Sequence, residues 1–203
     1  MSHPKETENN KSKDTTHRAY FSTSDLATIA IFGALQFILQ YFSGKITFIP
    51  GAERPIVAFP VAFMAAITYL RTRKVGAVGL TTLIAGIIQV SLSGFPPVIF
   101  EWVGATIGAE LVIIAAHATR GKCKTWSLCL AAGTLMLGRG IGVTVGMLIF
   151  FTARELKSFA TQALVLIYIT FNGIIPFVIA IVGADAALKL CVSMGLVQKS
   201  VLE

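Results

Sequence analysis

Two charged residues lie inside apolar stretches of the chain and are the first candidates for chemistry. Glu110 stands near the middle of the fourth apolar stretch, and Arg139 stands near the middle of the fifth. A charged side chain at the centre of a bilayer costs about 2.5–3.5 kcal/mol on insertion scales, so each requires a partner, a water-filled cavity or a ligand. Two compatible interpretations follow: the two residues pair and fix helix packing, or they bind a ligand directly or through neighbouring groups.

A second set of polar and aromatic side chains falls toward one end of the same stretches. Carboxylate, amide and aromatic groups together suit a small polar ligand, including a cationic one. Trp and Tyr near a membrane interface are also common as belt residues, which is the alternative interpretation for Trp102. Gln36 and Gln40, one turn apart, are compatible with hydrogen bonds between helices. The candidate binding residues are Gln89, Glu101, Trp102, Tyr168 and Asn172, with Glu53 and Arg54 in the first loop.

Small residues recur at four-residue spacing in three stretches, which produces helix faces that another backbone can approach closely. The first stretch carries Ala30 and Ala34, with Ala27 one turn earlier. The fourth and fifth stretches carry glycines at the same spacing: Gly104, Gly108, Gly138, Gly142 and Gly146. Such patterns are common in membrane proteins and ordinarily indicate packing between helices of one chain.

The sequence lacks the motifs that would supply covalent, metal or nucleotide chemistry. Gly121-Lys122 has neither the upstream glycine nor the following Ser or Thr of a phosphate-binding loop. Cys123, Cys129 and Cys191 form no CxxC pair and support neither a zinc site nor a disulfide framework. We therefore expect no catalytic residue, no metal and no cofactor, and any energy must come from another chain.

Composition places these residues in a membrane. Of the 203 residues, 55% are hydrophobic and 13% are charged, against about 25% charged in soluble domains. These figures exclude a disulfide-stapled secreted domain, a disordered chain and an ordinary cytosolic enzyme. Because a spanning helix needs about 20 residues, we expect an all-α membrane protein with six transmembrane helices in one bundle. The predicted spans are 25–42, 56–70, 75–92, 98–118, 126–151 and 163–194.

The two ends of the chain are expected to differ from the apolar body. Residues 1–23 are polar and predict a disordered cytoplasmic tail, residues 24–196 form the transmembrane substrate-binding domain, and residues 197–203 form a short second tail. Ser24 or Asp25 is expected to cap the first helix. The last span would be about 45 Å long if straight, so Gly173 and Pro176 are expected to kink it.

The formal charge of +7 indicates the topology of the chain in the membrane, rather than binding to an acidic partner such as nucleic acid. Six spans put both termini on one side of the membrane. Twelve of the 17 basic residues flank that side, four flank the other, and Arg139 lies within a span. The positive-inside rule then predicts a multi-pass protein of the plasma membrane with both termini in the cytoplasm.

The combination resembles the S components of energy-coupling factor (ECF) vitamin importers. The points of resemblance are six short spans, a cytoplasmic N-terminus, no ATPase and the AxxxA face of the first span. Within that group, two segments are similar to the hydroxymethylpyrimidine/thiamin permease branch, although Val75 stands where that branch usually has Pro and the first loop differs. These segments are Arg73-Lys74-Val75-Gly76-Ala77 and Gly108-Ala109-Glu110-Leu111.

The resemblance implies a non-catalytic subunit that captures a small vitamin-like molecule from outside, with thiamin or hydroxymethylpyrimidine as the first choice. Other branches bind riboflavin, biotin, folate or queuosine precursors in the same scaffold. The resemblance further implies that Ala27, Ala30 and Ala34 dock onto a transmembrane coupling protein that carries a pair of ABC ATPases. Glu110 would face the binding cavity, and the first loop, residues 43–55 with Glu53 and Arg54, would act as its lid.

Two other functions remain as alternatives at this point. A stand-alone proton- or ion-coupled transporter would use Glu110 and Arg139 as a relay, but the two halves of the sequence show no inverted repeat. An intramembrane enzyme is disfavoured because the sequence has no nucleophile–base or metal pattern.

Overall fold

Helices make up the part of the chain that the computed structural model describes, which is residues 20–46, 53–94, 96–120, 124–150 and 170–195. No strand occurs among those residues. Six α-helices follow one another: α1 (Thr23–Ile46), α2 (Glu53–Thr72), α3 (Ala77–Ser93), α4 (Pro97–Arg120), α5 (Thr125–Phe150) and α6 (Ile175–Ser193). The predicted all-α membrane bundle is confirmed. Of the predicted tails, 1–23 and 197–203, residues 1–19 and 197–203 lie outside the described residues, and α1 begins at Thr23.

Five of the helices are long and apolar enough to cross a membrane, and α3 is shorter. The 17 residues of α3 extend about 25 Å, which is less than the hydrocarbon thickness of about 30 Å. Glycines bound α3 at both ends, because Gly76 and Gly94 adopt positive φ angles of 89° and 62° that L-residues rarely take.

The last helix is irregular where the sequence predicts it. Thr170–Ile174 form a π-helical turn that includes Gly173, and α6 follows with Pro176 in its first turn. Proline cannot donate the backbone hydrogen bond of a regular helix, and such π turns accommodate the resulting mismatch. Residues 163–169 of the predicted span lie outside the described residues.

Residue contacts show that consecutive helices alternate in direction and so define two ends of the bundle. At the α2–α3 end, Lys74 Nζ lies 2.7 Å from Asp25 Oδ2 near the start of α1. Asp25 and Ser22 form a reciprocal capping box, so Ser22 caps α1 in place of the predicted Ser24 or Asp25. The α1–α2 end contains the start of α2, the start of α4 and the π-helical turn.

The hydrophobic core lies between α2, α4, α5 and α6. In α2, 61% of the spanning residues are buried, against 22% in α1, so α2 is central and α1 is peripheral. The buried stripe of α1 runs through Ile29, Gly33, Gln36 and Gln40. A Cβ atom on Gly33 would lie 2.9 Å from the carbonyl oxygen of Thr81, so α1 and α3 meet closely there.

Candidate functional site

Glu101 lies between two arginines at the α1–α2 end. Arg54 Nη2 donates to Glu101 Oε2 at 2.9 Å, and Arg139 Nε donates to Glu101 Oε1 at 2.9 Å. Arg139 Nη2 also donates to Glu101 Oε1. The exposed fractions are 3% for Glu101, 8% for Arg54 and 2% for Arg139. Of the two interpretations, direct pairing of Arg139 with Glu110 is therefore wrong.

Glycine packing places Arg139 beside Glu101. A Cβ atom on Gly142 would collide with the carbonyl oxygen of Phe100 and would lie 3.0 Å from the Cα of Glu101. Gly138 and Gly104 meet backbone to backbone in the same way. Because Arg139 is adjacent to Gly138 and one turn from Gly142, this close approach of α5 to α4 brings the guanidinium to the first turn of α4.

Trp102 is buried in the same cluster and is 1% exposed. Its indole Nε1 donates to Gln89 Oε1 at 2.7 Å, and the Arg139 guanidinium carbon lies 4.4 Å from the ring centroid. A Cβ atom on Gly86 would lie 2.6 Å from Trp102, so the glycine leaves room for the ring. The ring therefore packs inside the bundle and not in a lipid-facing belt.

Two glutamines on α1 face the interior near this cluster. Gln36 is fully buried, and neither polar atom of its side chain has a hydrogen-bond partner. Gln40 is 7% exposed, and its Oε1 also has no partner. The neighbouring Phe37 packs against the apolar group that contains Trp102, which places this part of α1 at the level of the tryptophan.

Asn172 reaches the cluster from the π-helical turn. It is 3% exposed, and a Cβ atom on Gly140 would lie 2.8 Å from its carbonyl oxygen. Since Gly140 follows Arg139 directly, the turn packs beside the arginine. Six helical segments thus carry polar or aromatic residues inside this half of the bundle: Gln36, Gln40, Arg54, Gln89, Glu101, Trp102, Arg139 and Asn172. We call this set the polar cluster.

Glu110 does not join the polar cluster. Its Oε2 accepts from the backbone N–H of Gly76 at 2.9 Å, and its Oε1 accepts from that of Gly79 at 2.7 Å. These donors belong to the start of α3, where a helix has unsatisfied N–H groups and favours negative charge. Glu110 lies about 13 Å further along α4 than Glu101, toward the α2–α3 end.

Two predicted site residues cannot be placed in the polar cluster. Tyr168 lies outside the described residues, and of Glu53 the structure describes the backbone, which begins α2. Gln36 and Gln40 were not among the predicted binding residues. Their burial could have been predicted from the alternating three- and four-residue spacing of Ile29, Gly33, Gln36 and Gln40, which indicates one buried helix face.

A groove of about 650 Å³ opens elsewhere, between the start of α5 and the middle of α6. It is lined mainly by apolar atoms, and Asp185 at its rim pairs with Lys189 at 2.5 Å. The groove shares no residue with the polar cluster. We give the cluster more weight, because it concentrates buried polar groups and the groove does not.

The chemistry available to the polar cluster is recognition. It holds charged, amide and indole groups, and none of its members is a nucleophile held by a base. Within the described ranges, no group of three or more His, Cys, Asp or Glu side chains could hold a metal ion.

No family model matches the chain, and no curated protein matches it. A solved structure does match, described as the crystal structure of an S-component of ECF transporter. The two chains are 21% identical, with a TM-score of 0.56, over 90% of this chain and 88% of the other. This chain has the S-component fold.

Within this S-component fold, the two segments that resemble the thiamin branch contact each other. Gly76 of the first segment donates to Glu110 of the second. The segments therefore build the junction between α3 and α4 at the α2–α3 end, away from the polar cluster.

The small residues of the S-component fold have two different environments. The α4 and α5 glycines pack inside the bundle, as is common for such patterns. On α1, by contrast, Ala27 and Ala30 are exposed and Ala34 is half-buried, so the described part of the chain leaves much of the AxxxA face uncovered. Large apolar side chains flank it, including Ile31, which is 59% exposed.

Proposed function

We propose that this protein is the substrate-binding membrane subunit of an ECF-type importer. The observation that carries the proposal is the polar cluster at one end of an S-component fold, with a fully buried glutamine whose polar atoms have no partner. Burial of a polar group without a hydrogen bond is unfavourable, and a bound ligand would supply the missing hydrogen bonds.

The proposed substrate-binding residues are the members of the polar cluster. Tyr168 and Glu53 stay predictions, and the first loop is proposed as the lid. Glu110 is left out because both its oxygens already accept backbone N–H groups. The resemblance makes thiamin or hydroxymethylpyrimidine the first substrates to try, but the segments that carry it lie away from the polar cluster.

The exposed face of α1 supports the proposed partners. Small residues on an exposed helix face permit close approach by a helix of another protein. We propose that Ala27, Ala30 and Ala34 contact a transmembrane coupling protein and that an associated ATPase pair supplies the energy. The chain itself would be non-catalytic, and the α1–α2 end would face outward from the plasma membrane.

The test is uptake in proteoliposomes together with binding by the isolated protein. We expect the isolated protein to bind one vitamin-like molecule, and uptake to require a coupling protein, ATPases and ATP. Proton- or ion-driven uptake by this chain alone would instead establish a secondary transporter. Absence of binding by well-folded protein would contradict the capture function.

A further inference from the structure

Gln36 is a fully buried polar side chain on α1, and its amide is not satisfied within the described part of the chain. The residue is 0% exposed, and neither Nε2 nor Oε1 has a hydrogen-bond partner. Burial of an amide without hydrogen bonds is unfavourable, and few such groups occur in native proteins. A ligand that offers the missing hydrogen bonds would satisfy both atoms of Gln36.

The level of Gln36 in the bundle follows from the contacts of α1 with α3, which run in the same direction. A Cβ atom on Gly33 would lie 2.9 Å from the side chain of Ile84. Three residues further along α1, Gln36 reaches the level of Gly86 on α3, where a Cβ atom would contact Trp102. The unsatisfied amide therefore lies at the level of the tryptophan of the polar cluster.

Other polar groups near that level are already paired. Both oxygens of Glu101 accept from arginine side chains, and Trp102 Nε1 donates to Gln89 Oε1. One turn further along α1, Gln40 Oε1 has no partner among the described residues. The buried face of α1 thus presents donor and acceptor atoms that the described side chains do not use.

The chemistry of a carboxamide determines which ligand groups can satisfy Gln36. Its Nε2 donates and its Oε1 accepts, and both atoms are attached to the same planar carbon. A carboxylate only accepts, so it would leave Oε1 without a donor. Glutamine forms two hydrogen bonds at once when a partner carries a donor and an acceptor side by side, as it does with the edge of adenine.

We propose that Gln36 determines the substrate specificity of the polar cluster by pairing with a planar ligand edge on which a hydrogen-bond donor and an acceptor are adjacent. Lactams, cyclic ureides, carboxamides and aminopyrimidines carry such an edge, and carboxylates do not. The inference rests on the proposed capture function and specifies its substrate class. Gln40 Oε1 then accepts from a further donor of the same molecule, nearer to the α1–α2 end.

The first experiment offers purified full-length protein an equimolar mixture of probes and identifies by native mass spectrometry which compound is retained. Hydroxymethylpyrimidine, thiamin, riboflavin, biotin and nicotinamide carry the edge, whereas nicotinate, lipoate and 4-aminobenzoate lack it. Retention of a probe with the edge supports the proposal. Retention of a probe without the edge overturns the proposal and leaves capture intact, whereas retention of none overturns both.

The second experiment compares the retained probe with its N-methylated derivative, in which methyl groups replace the donor hydrogens of the edge. Loss of the paired hydrogen bonds predicts that the derivative binds the wild-type protein at least about tenfold more weakly. Gln36→Leu should remove most of that preference, because leucine is similar in size and has no hydrogen-bonding atoms. An unchanged preference in Gln36→Leu would show that another group recognises the edge and would overturn the proposal.

Gln40→Leu is the matched control, because it makes the same substitution one turn along the same helix face. It should weaken binding of the probe and of its derivative by the same factor, so that their affinity ratio stays at the wild-type value. Loss of the ratio in Gln40→Leu would contradict the assignment of edge recognition to Gln36.

The stability of the ligand-free protein separates a binding role of Gln36 from a packing role, and this measurement requires no binding by the variant. Because the amide is buried without partners, Gln36→Leu should raise the melting temperature of the ligand-free protein. Addition of the retained probe should then stabilise the wild-type protein more than the variant. A lower melting temperature of ligand-free Gln36→Leu would show that the amide already stabilises the fold and would overturn the proposal.

Discussion

At the scale of single residues, Glu101 and Glu110 lie on the same helix and have different partners. Glu101 accepts from two arginine side chains, whereas Glu110 accepts from two backbone N–H groups. A carboxylate bound to side chains can exchange a partner for a ligand when a rotamer changes. Release of the Glu110 carboxylate would leave two N–H groups at the start of α3 without an acceptor, which favours a structural role for Glu110.

Glu110→Gln tests this difference. The substitution removes the negative charge and one acceptor oxygen at the start of α3, so we expect stability to fall by about 1 kcal/mol. Affinity for the substrate should change by less than about twofold, which is a small energy on the affinity scale. Unfolding titrations and binding measurements on one preparation check both values. A large loss of affinity with unchanged stability would return Glu110 to the binding site.

Part of the polar cluster could be predicted from the sequence, because Glu101, Trp102, Gln89 and Asn172 all fall near one end of apolar stretches. The pairing of Glu101 with Arg54 and Arg139 could not be predicted. Arg54 and Arg139 are 47 and 38 residues from Glu101, and hydropathy carries no information on which helices meet. Pairing of Glu110 with Arg139 was one interpretation because both are central in their spans, but Glu110 accepts from backbone N–H groups at the start of α3.

At the scale of elements, the packing of α4 on α5 determines the geometry of the cluster. Gly104 and Gly108 on α4 face Gly138 and Gly142 on α5, with backbone against backbone. This contact is what allows Arg139 to reach the first turn of α4. Larger residues at these positions would separate the two helices and lengthen the Arg139–Glu101 contact.

Gly138→Ala tests the role of the α4–α5 contact. Its Cβ would overlap the carbonyl of Gly104, and forcing extra atoms into a packed contact costs about 1–3 kcal/mol, more than alanine gains in helix propensity. We expect lower stability and weaker substrate binding. Gly173→Ala is the matched control, because its Cβ would lie at an ordinary 3.6 Å from Leu137. Equal stability of the two variants, by unfolding in denaturing detergent, would contradict the prediction.

The helices themselves were largely predictable, and their details were not. Long apolar runs and breakers such as Ser93-Gly94 predicted the first five spans to within a few residues. The cap of α1 at Ser22 was missed because Ser22, Ser24 and Asp25 all suit a cap, and the reciprocal bonds of Ser22 with Asp25 decide between them. The π-helical turn before α6 lies where Gly173 and Pro176 predicted an irregularity, since both residues are strong local signals.

At the scale of the whole molecule, the distribution of basic residues predicts the orientation. Twelve basic residues flank the side of the two termini, which predicts that this side is cytoplasmic. A C-terminal fusion to green fluorescent protein should be fluorescent, and a fusion to alkaline phosphatase at the same position should be inactive. The reverse result would place the polar cluster on the cytoplasmic side and contradict uptake from outside.

The peripheral position of α1 gives the helix two faces with different neighbours. Gln36 and Gln40 face the polar cluster, and Ala30 faces away from the bundle. A partner that binds the outer face is therefore one helix thickness from the proposed substrate. Movement of α1 on docking would shift Gln36 relative to Arg54, which provides a direct physical route from partner binding to substrate release.

Ala30→Leu tests whether the outer face of α1 is the docking surface. A larger side chain at a close helix contact costs about 1–3 kcal/mol, so association with the coupling protein should weaken about tenfold or more. Substrate binding by the isolated subunit should be unchanged, since Ala30 is exposed and lies on the other face from Gln36.

Ala115→Leu, at an exposed alanine of α4, is the matched control and should assemble normally. Co-purification and ATP-driven uptake measure both variants. If Ala30→Leu assembles as well as Ala115→Leu, the partner binds another face, and α1 does not connect docking to the polar cluster.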